Sequence, residues 1–149
     1  MKEFFYKLFT YDEWAIGRSL SSLQGPVNPE AQLMLSHILS AENIWMARLR
    51  GQDSSGIPVF EEFSLEECAR MSDELHHEYL AYIDSLTESD LDTLVSYKNT
   101  KGVAFQTSIK DILTHVGLHG VYHRGQIALL VRQGDGTAAP TDYIIFTRV

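Results

Sequence analysis

The stretch Ile112-Leu-Thr-His115-Val-Gly-Leu-His119-Gly-Val-Tyr-His123-Arg-Gly-Gln-Ile127-Ala-Leu-Leu130 decides the fold. Ile112, Val116, Ile127 and Leu130 recur at helical spacing, which predicts a helix with one apolar stripe. His115, His119 and His123 fall on that stripe. Each step of four residues turns ~40° around a helix, so neighbouring imidazoles share a face about one turn apart. The stripe should point into a bundle of helices. Thr107 or Ser108 can cap the helix, and Gly134 and Gly136 end it, which places helix 4 at Ser108 to Gln133.

Working outward, three further helices are expected. Helix 1 runs from about Lys2 to Leu23, with Phe5, Leu8, Tyr11, Ala15 and Ser19 on its inner face, and stops at Gly25-Pro26. Asn28-Pro29 is an N-cap followed by proline at the first helical position. Helix 2 follows to about Arg50, with Met34, Ile38, Ala41 and Trp45 as its stripe, until Gly51 ends it. Gly51 to Phe63 has no helical period and is long for a helix connection, so it can cross the bundle and join two parallel helices. Ser64 and Glu67 form a capping-box pair at the start of helix 3, which continues through Cys68, Ser72, Leu75, Tyr79, Ile83 and Leu86. Thr93–Tyr97 and Val103–Thr107 flank Asn99-Thr100-Lys101-Gly102 as a small β-hairpin. The tail from Thr137 onward adds a short turn over one end of the bundle. The expectation is an all-α four-helix bundle, one domain over residues 1–149, with a minor β-hairpin between helices 3 and 4.

Composition narrows the class. The 149 residues are 44% hydrophobic and 21% charged, the balance of a globular chain that buries ~68–70% of its unfolded surface. No apolar run approaches the ~18–20 residues of a membrane span. Glu3 and Lys7 interrupt the N-terminal apolar stretch, which makes it a poor signal peptide. A net charge of −8 with only 12 Lys and Arg argues against nucleic acid as a partner. Cys68 is the only cysteine, so no intramolecular disulfide forms and a reducing cytoplasm is the expected home.

The histidines carry the chemistry. His37 lies beside Met34, Ile38 and Ala41, so helix 2 also presents an imidazole inward. Buried neutral imidazoles need partners for both nitrogens, and a protonated cluster would repel itself. A divalent metal resolves both problems, because each His gives up one lone pair and donates its other N–H to a neighbour. Three ligands from two helices leave a position open for water or substrate, as catalytic sites do. His37, His119 and His123 are the expected ligands of one divalent transition metal, with His115 as a pocket residue. Imidazole suits zinc, nickel, copper and iron alike. His76 and His77 are adjacent and are placed on the surface. Asp12 and Glu42 are assigned to solvated helix faces, with a role as base or hydrogen-bond acceptor beside the metal as the alternative. Arg124 points about 100° from His123 and braces a neighbouring helix or a dimer. Gln126 sits at the site rim, and Cys68 is inert packing. The chain has no H-E-x-x-H, phosphate loop or G-x-S-x-G.

His115 through Gln126 resembles the H-x-x-x-H-x-x-x-H-R-G-Q signature of the DinB family of bacterial metal-binding four-helix bundles. The likeness extends to Phe9-Thr-Tyr11-Asp-Glu-Trp14-Ala15, to Ser36-His37-Ile38-Leu39 through Trp45-Arg48-Leu49, and to Pro140-Thr141-Asp142-Tyr143. The chain departs from it at Ile16, where the first helix often reads W-A-N. The resemblance implies an up-down-down-up bundle, a nickel- or zinc-type site at His37, His119 and His123, and a homodimer. It also implies a stress-response setting and low-molecular-weight thiol chemistry. Relatives include bacillithiol S-transferases and mycothiol-dependent maleylpyruvate isomerases, and a small electrophile or thiol would be the substrate. Two readings stay open: a metal-dependent enzyme of the thiol S-transferase or hydrolase type, and a non-catalytic dimeric interaction module stabilised by its metal.

Overall fold

The computed structural model of the chain describes residues 1–26 and 28–148. Helices α1 (Lys2–Ser22), α2 (Pro29–Leu49), α3 (Leu65–Ser85) and α4 (Ile109–Gln133) account for the four expected stretches. A single 3₁₀ turn at Ser89–Asp92, strands β1 (Leu94–Lys98) and β2 (Ala104–Ser108), and a short α5 (Tyr143–Thr147) complete it. The caps are those the sequence advertises. The Asn28 side chain accepts from the Glu30 and Ala31 amides, Ser64 and Glu67 close a reciprocal capping box, and the Ser108 hydroxyl accepts from the Asp111 amide. Beyond α2, Gly51 adopts a φ of 68°, the left-handed conformation that glycine enters at no steric cost.

Cross-helix contacts fix the topology. Phe9 stacks on Tyr79 at 4.4 Å and Glu13 meets His76 at 3.1 Å, so α1 and α3 run antiparallel. Leu8 seats against Gly117 and Asp12 pairs with Arg124, so α1 and α4 run parallel. His37 faces His123 and Trp45 faces His115, so α2 and α4 run antiparallel. The Tyr79 hydroxyl donates to the Glu42 carbonyl at 2.7 Å and Ser36 lies beside Cys68, so α2 and α3 run parallel. The order around the bundle is α1-α3-α2-α4, up-down-down-up. Parallel α2 and α3 need a return path, and residues 50–64 supply it by running back along α2. Along that path Arg48 donates to Ser54, the Val59 carbonyl meets His37, and the Phe63 amide donates to Ser36.

The core runs along the bundle axis, with Phe5, Ile16, Leu35, Ile38, Cys68, Ile83, Ile112 and Val131 among its buried residues. Three expectations need correction. The hairpin lies one residue later than read, because the Asn99 side chain accepts from the Lys101 and Val103 amides and so closes the turn over residues 99–103. The tail forms a short helix, but it packs on the side of α1, where Tyr143 and Phe146 meet Tyr11 and Trp14, rather than over an end. Helix α2 is buried around most of its circumference, since α3, α4, the return path and the hairpin all lie against it.

Candidate metal centre

Helical periodicity brings His119 and His123 to one face of α4, and the antiparallel approach of α2 sets His37 opposite both. Ring centroids are 5.0 Å apart for His37 and His119, 4.7 Å for His37 and His123, and 4.4 Å for His119 and His123. One ring nitrogen from each lies within 4.8 Å of the others, so the three can hold a metal ion. Two of the rings are oriented by acceptors of this chain. The His37 Nδ1–H donates to the Val59 carbonyl at 3.0 Å, and the His123 Nδ1–H donates to Gln126 Oε1 at 2.6 Å. With the proton held on Nδ1, each Nε2 keeps its lone pair free. Phe60 stacks on His37 at 4.3 Å and covers its outer face.

The electrostatics suit a cation. Burial, and then the facing His123, His37 and His115, pull the His119 pKa down to about 4. Burial lowers His37 too, against the upward pull of its bond to Val59 and with a smaller push from His123. At neutral pH these imidazoles are therefore uncharged and present lone pairs rather than N–H groups. A three-nitrogen donor set in which His37 and His123 already have their Nδ1–H groups bonded to the protein fits a borderline-soft divalent ion. His115 stands a turn behind, 5.6 Å from His119 and packed against Trp45, outside the ligand cluster.

Beside this centre lies a buried group of Asp12, Glu42 and Arg124, whose two carboxylates the helical stripes misplaced. Asp12 is 4% exposed, Glu42 5% and Arg124 1%, so neither carboxylate lies on a solvated face. Arg124 Nη1 donates to Asp12 Oδ1 across the α1–α4 seam. Arg124 thus braces a neighbouring helix, as its direction from His123 implied. Burial, and next the Asp12 carboxylate, push Glu42 well above the usual carboxylate range. His76 is a third correction: it pairs with Glu13 and its side chain is only 12% exposed, while His77 lies out in solvent at 72%. Cys68 is buried, and burial raises its thiol pKa, in keeping with inert packing. Val59 and Phe60 escaped the sequence reading altogether, because a backbone carbonyl and a lone aromatic in an aperiodic segment carry no periodic signal.

Comparison with known proteins identifies the family and the fold. The family model for the DinB family matches residues 18–149. The chain belongs to the DinB family. Among DinB proteins, it is 26% identical over 163 residues to Protein DinB of Bacillus subtilis (strain 168), covering 98% of this chain and 95% of that protein. Its fold is similar to the crystal structure of a DinB-like protein from Bacillus cereus, with a TM-score of 0.67 at 19% identity over 93% of this chain and 95% of the other. The all-α bundle expected of a DinB protein is thus present. Among the described residues no helix is long and apolar enough to cross a membrane.

Proposed function

We propose that this DinB-family protein is a metal-dependent enzyme of the thiol S-transferase or hydrolase type, with His37, His119 and His123 binding one divalent transition ion, nickel or zinc. The observation that carries it is the convergence of three imidazoles, two of them with Nδ1 already bonded, on a common point. Once bound, such an ion supplies Lewis acidity that makes a thiol or water nucleophilic near neutral pH. The protein's own residues supply orientation. Val59 and Gln126 hold the Nδ1 protons of His37 and His123 and fix both ring planes, and Phe60 screens His37 from solvent. No fourth His, Cys or carboxylate among the described residues joins the cluster, which favours an open position for substrate over a closed structural site. A small thiol and a small electrophile are the proposed substrates. The proposed setting is the cytoplasm, in keeping with a lone buried thiol, and the proposed assembly is a homodimer through the exposed apolar face of α4.

The test is elemental analysis of untagged protein combined with a thiol-transfer assay on the same preparation. One ion per chain is expected in the wild type and none in His119→Ala, with transfer lost alongside the metal. Equal metal content in both proteins, or none in the wild type after exposure to zinc and nickel, would overturn the His-based site. Metal without transfer would leave the centre as the core of a non-catalytic module.

A further inference from the structure

Arg48 is 7% exposed, yet no carboxylate among the described residues lies within ion-pair distance of it. That is unusual for a buried guanidinium, and more so in a chain with 20 acidic residues. Its surroundings position it without neutralising it. The guanidinium carbon sits 4.5 Å from the Trp45 ring centroid and 4.9 Å from that of Tyr97, and Nε donates to Ser54 Oγ at 3.3 Å. The two terminal nitrogens have no partner among the described residues. Arg48 lines a pocket of about 830 Å³ between the return path and the hairpin, a volume in the range of small-molecule sites.

From these residues we infer that this pocket binds a small organic carboxylate, with its head on the Arg48 fork. Two parallel N–H groups of a guanidinium match the two oxygens of a carboxylate. The charge balance sets the valence of the ligand. Arg48 and Lys98 line the pocket against a single carboxylate, Asp53, whose oxygens are already engaged by the Ser55 amide and hydroxyl at 2.9 Å. The surplus is one positive charge, which a carboxylate cancels and a phosphate near its second ionisation exceeds. Ile57, Pro58 and Val59 form an apolar wall, which suits an acid with a hydrocarbon body. Rings that hold the fork in place before the ligand arrives reduce the ordering cost of binding. Val59 is shared: its carbonyl orients His37, and the residue also lines the acid pocket. Acid binding itself requires no metal, so it stands or falls separately from the metal centre.

The two tryptophans make the site directly observable, because their indole N–H signals are separate probes of Trp45 and of the distant Trp14. Titration of the full chain with hexanoate is expected to move the Trp45 signal to saturation and leave Trp14 in place. Hexanamide, the uncharged isostere, should not shift it, and inorganic phosphate should bind more weakly than hexanoate. Arg48→Met is expected to weaken hexanoate binding by about tenfold or more, the loss typical of a charge-assisted pair. Arg48→Lys keeps the charge but not the fork, should weaken it severalfold, and serves where Arg48→Met does not fold. His119→Ala should bind hexanoate as the wild type does, whatever its metal content. Equal binding of hexanoate and hexanamide, or undiminished binding in both Arg48 variants, would reduce Arg48 to a brace between α2 and the hairpin and overturn the proposal. Tighter binding of phosphate than hexanoate would overturn the carboxylate assignment.

Discussion

His119 is half-buried with three other imidazoles for neighbours, and the sign of its titration follows. In the unfolded chain it takes a proton near 6.5, whereas in the folded chain it resists until about 4. Between those values the unfolded state holds more protons, so the metal-free protein loses stability as pH falls from ~6.5 to ~4 and is insensitive to this group above that window. The urea midpoint of metal-free protein should drop between pH 7 and pH 4.5, and by less in His119→Gln. An equal drop in both would remove His119 as the source. Glu42 carries the opposite sign. Its folded pKa is raised, so its contribution is complete below about 4.5 and declines as pH rises through the folded value. Gln mimics the protonated acid. Glu42→Gln should therefore gain stability over the wild type at pH 8 relative to pH 4.5, a difference that paired denaturation curves would read. A larger wild-type advantage at pH 8 would mean that Glu42 is ionised and paired with Arg124.

Helices α1 and α4 approach closely because α4 lacks side chains where they meet. A Cβ on Gly120 would stand 2.7 Å from Asp12 Oδ1 and from Arg124 Nη1, and one on Gly117 would stand 2.8 Å from Leu8 Cδ2. Leu8 ends in flexible methyl groups that can move aside; the Asp12–Arg124 pair is buried and has nowhere to go. Gly120→Ala is expected to destabilise by about 1–3 kcal/mol through overpacking, despite the better helix propensity of alanine. Gly17, on the exposed side of α1 with nothing within 4 Å of its Cβ position, gives the contrast. Gly17→Ala should stabilise by roughly 0.5–1 kcal/mol, and thermal melts of the two variants would show opposite shifts. This seam also explains what the sequence made legible and what it did not. His37, His119 and His123 could be read because each lies on the apolar stripe of its own helix, and a stripe is a local property. Asp12, Glu42 and His76 were misplaced because their burial depends on which helices flank α1, α2 and α3, and that order depends on the path of residues 50–64. The same path sets Val59 on His37 and opens the pocket beside Arg48, where local periodicity has nothing to say.

The bundle closes around its core in the order α1-α3-α2-α4, yet α4 keeps an apolar outer surface. Leu118 is 64% exposed, Val121 44%, Tyr122 67% and Leu129 50%, with Gly125 between them. Positions 118, 122, 125 and 129 are separated by four, three and four residues, the spacing of a coiled-coil seam. Such a stripe can meet its own copy about a two-fold axis, and the glycine lets the two helices approach closely. The α4 that carries His119 and His123 inward would then carry the dimer contact outward, with the metal centre lying one helix thickness from the symmetry axis. Light scattering on the size-excluded protein is expected to give twice the 16.9 kDa chain mass at micromolar concentration. Leu118→Glu with Leu129→Glu would place like charges across the axis and should yield monomers that keep their metal, since neither residue touches the imidazoles' inner face. A monomeric wild type, or a dimer that survives both charges, would remove this face as the contact. Loss of metal on conversion to monomer would instead tie the stability of α4's inner face to its partner helix, and the two measurements on one sample distinguish these outcomes.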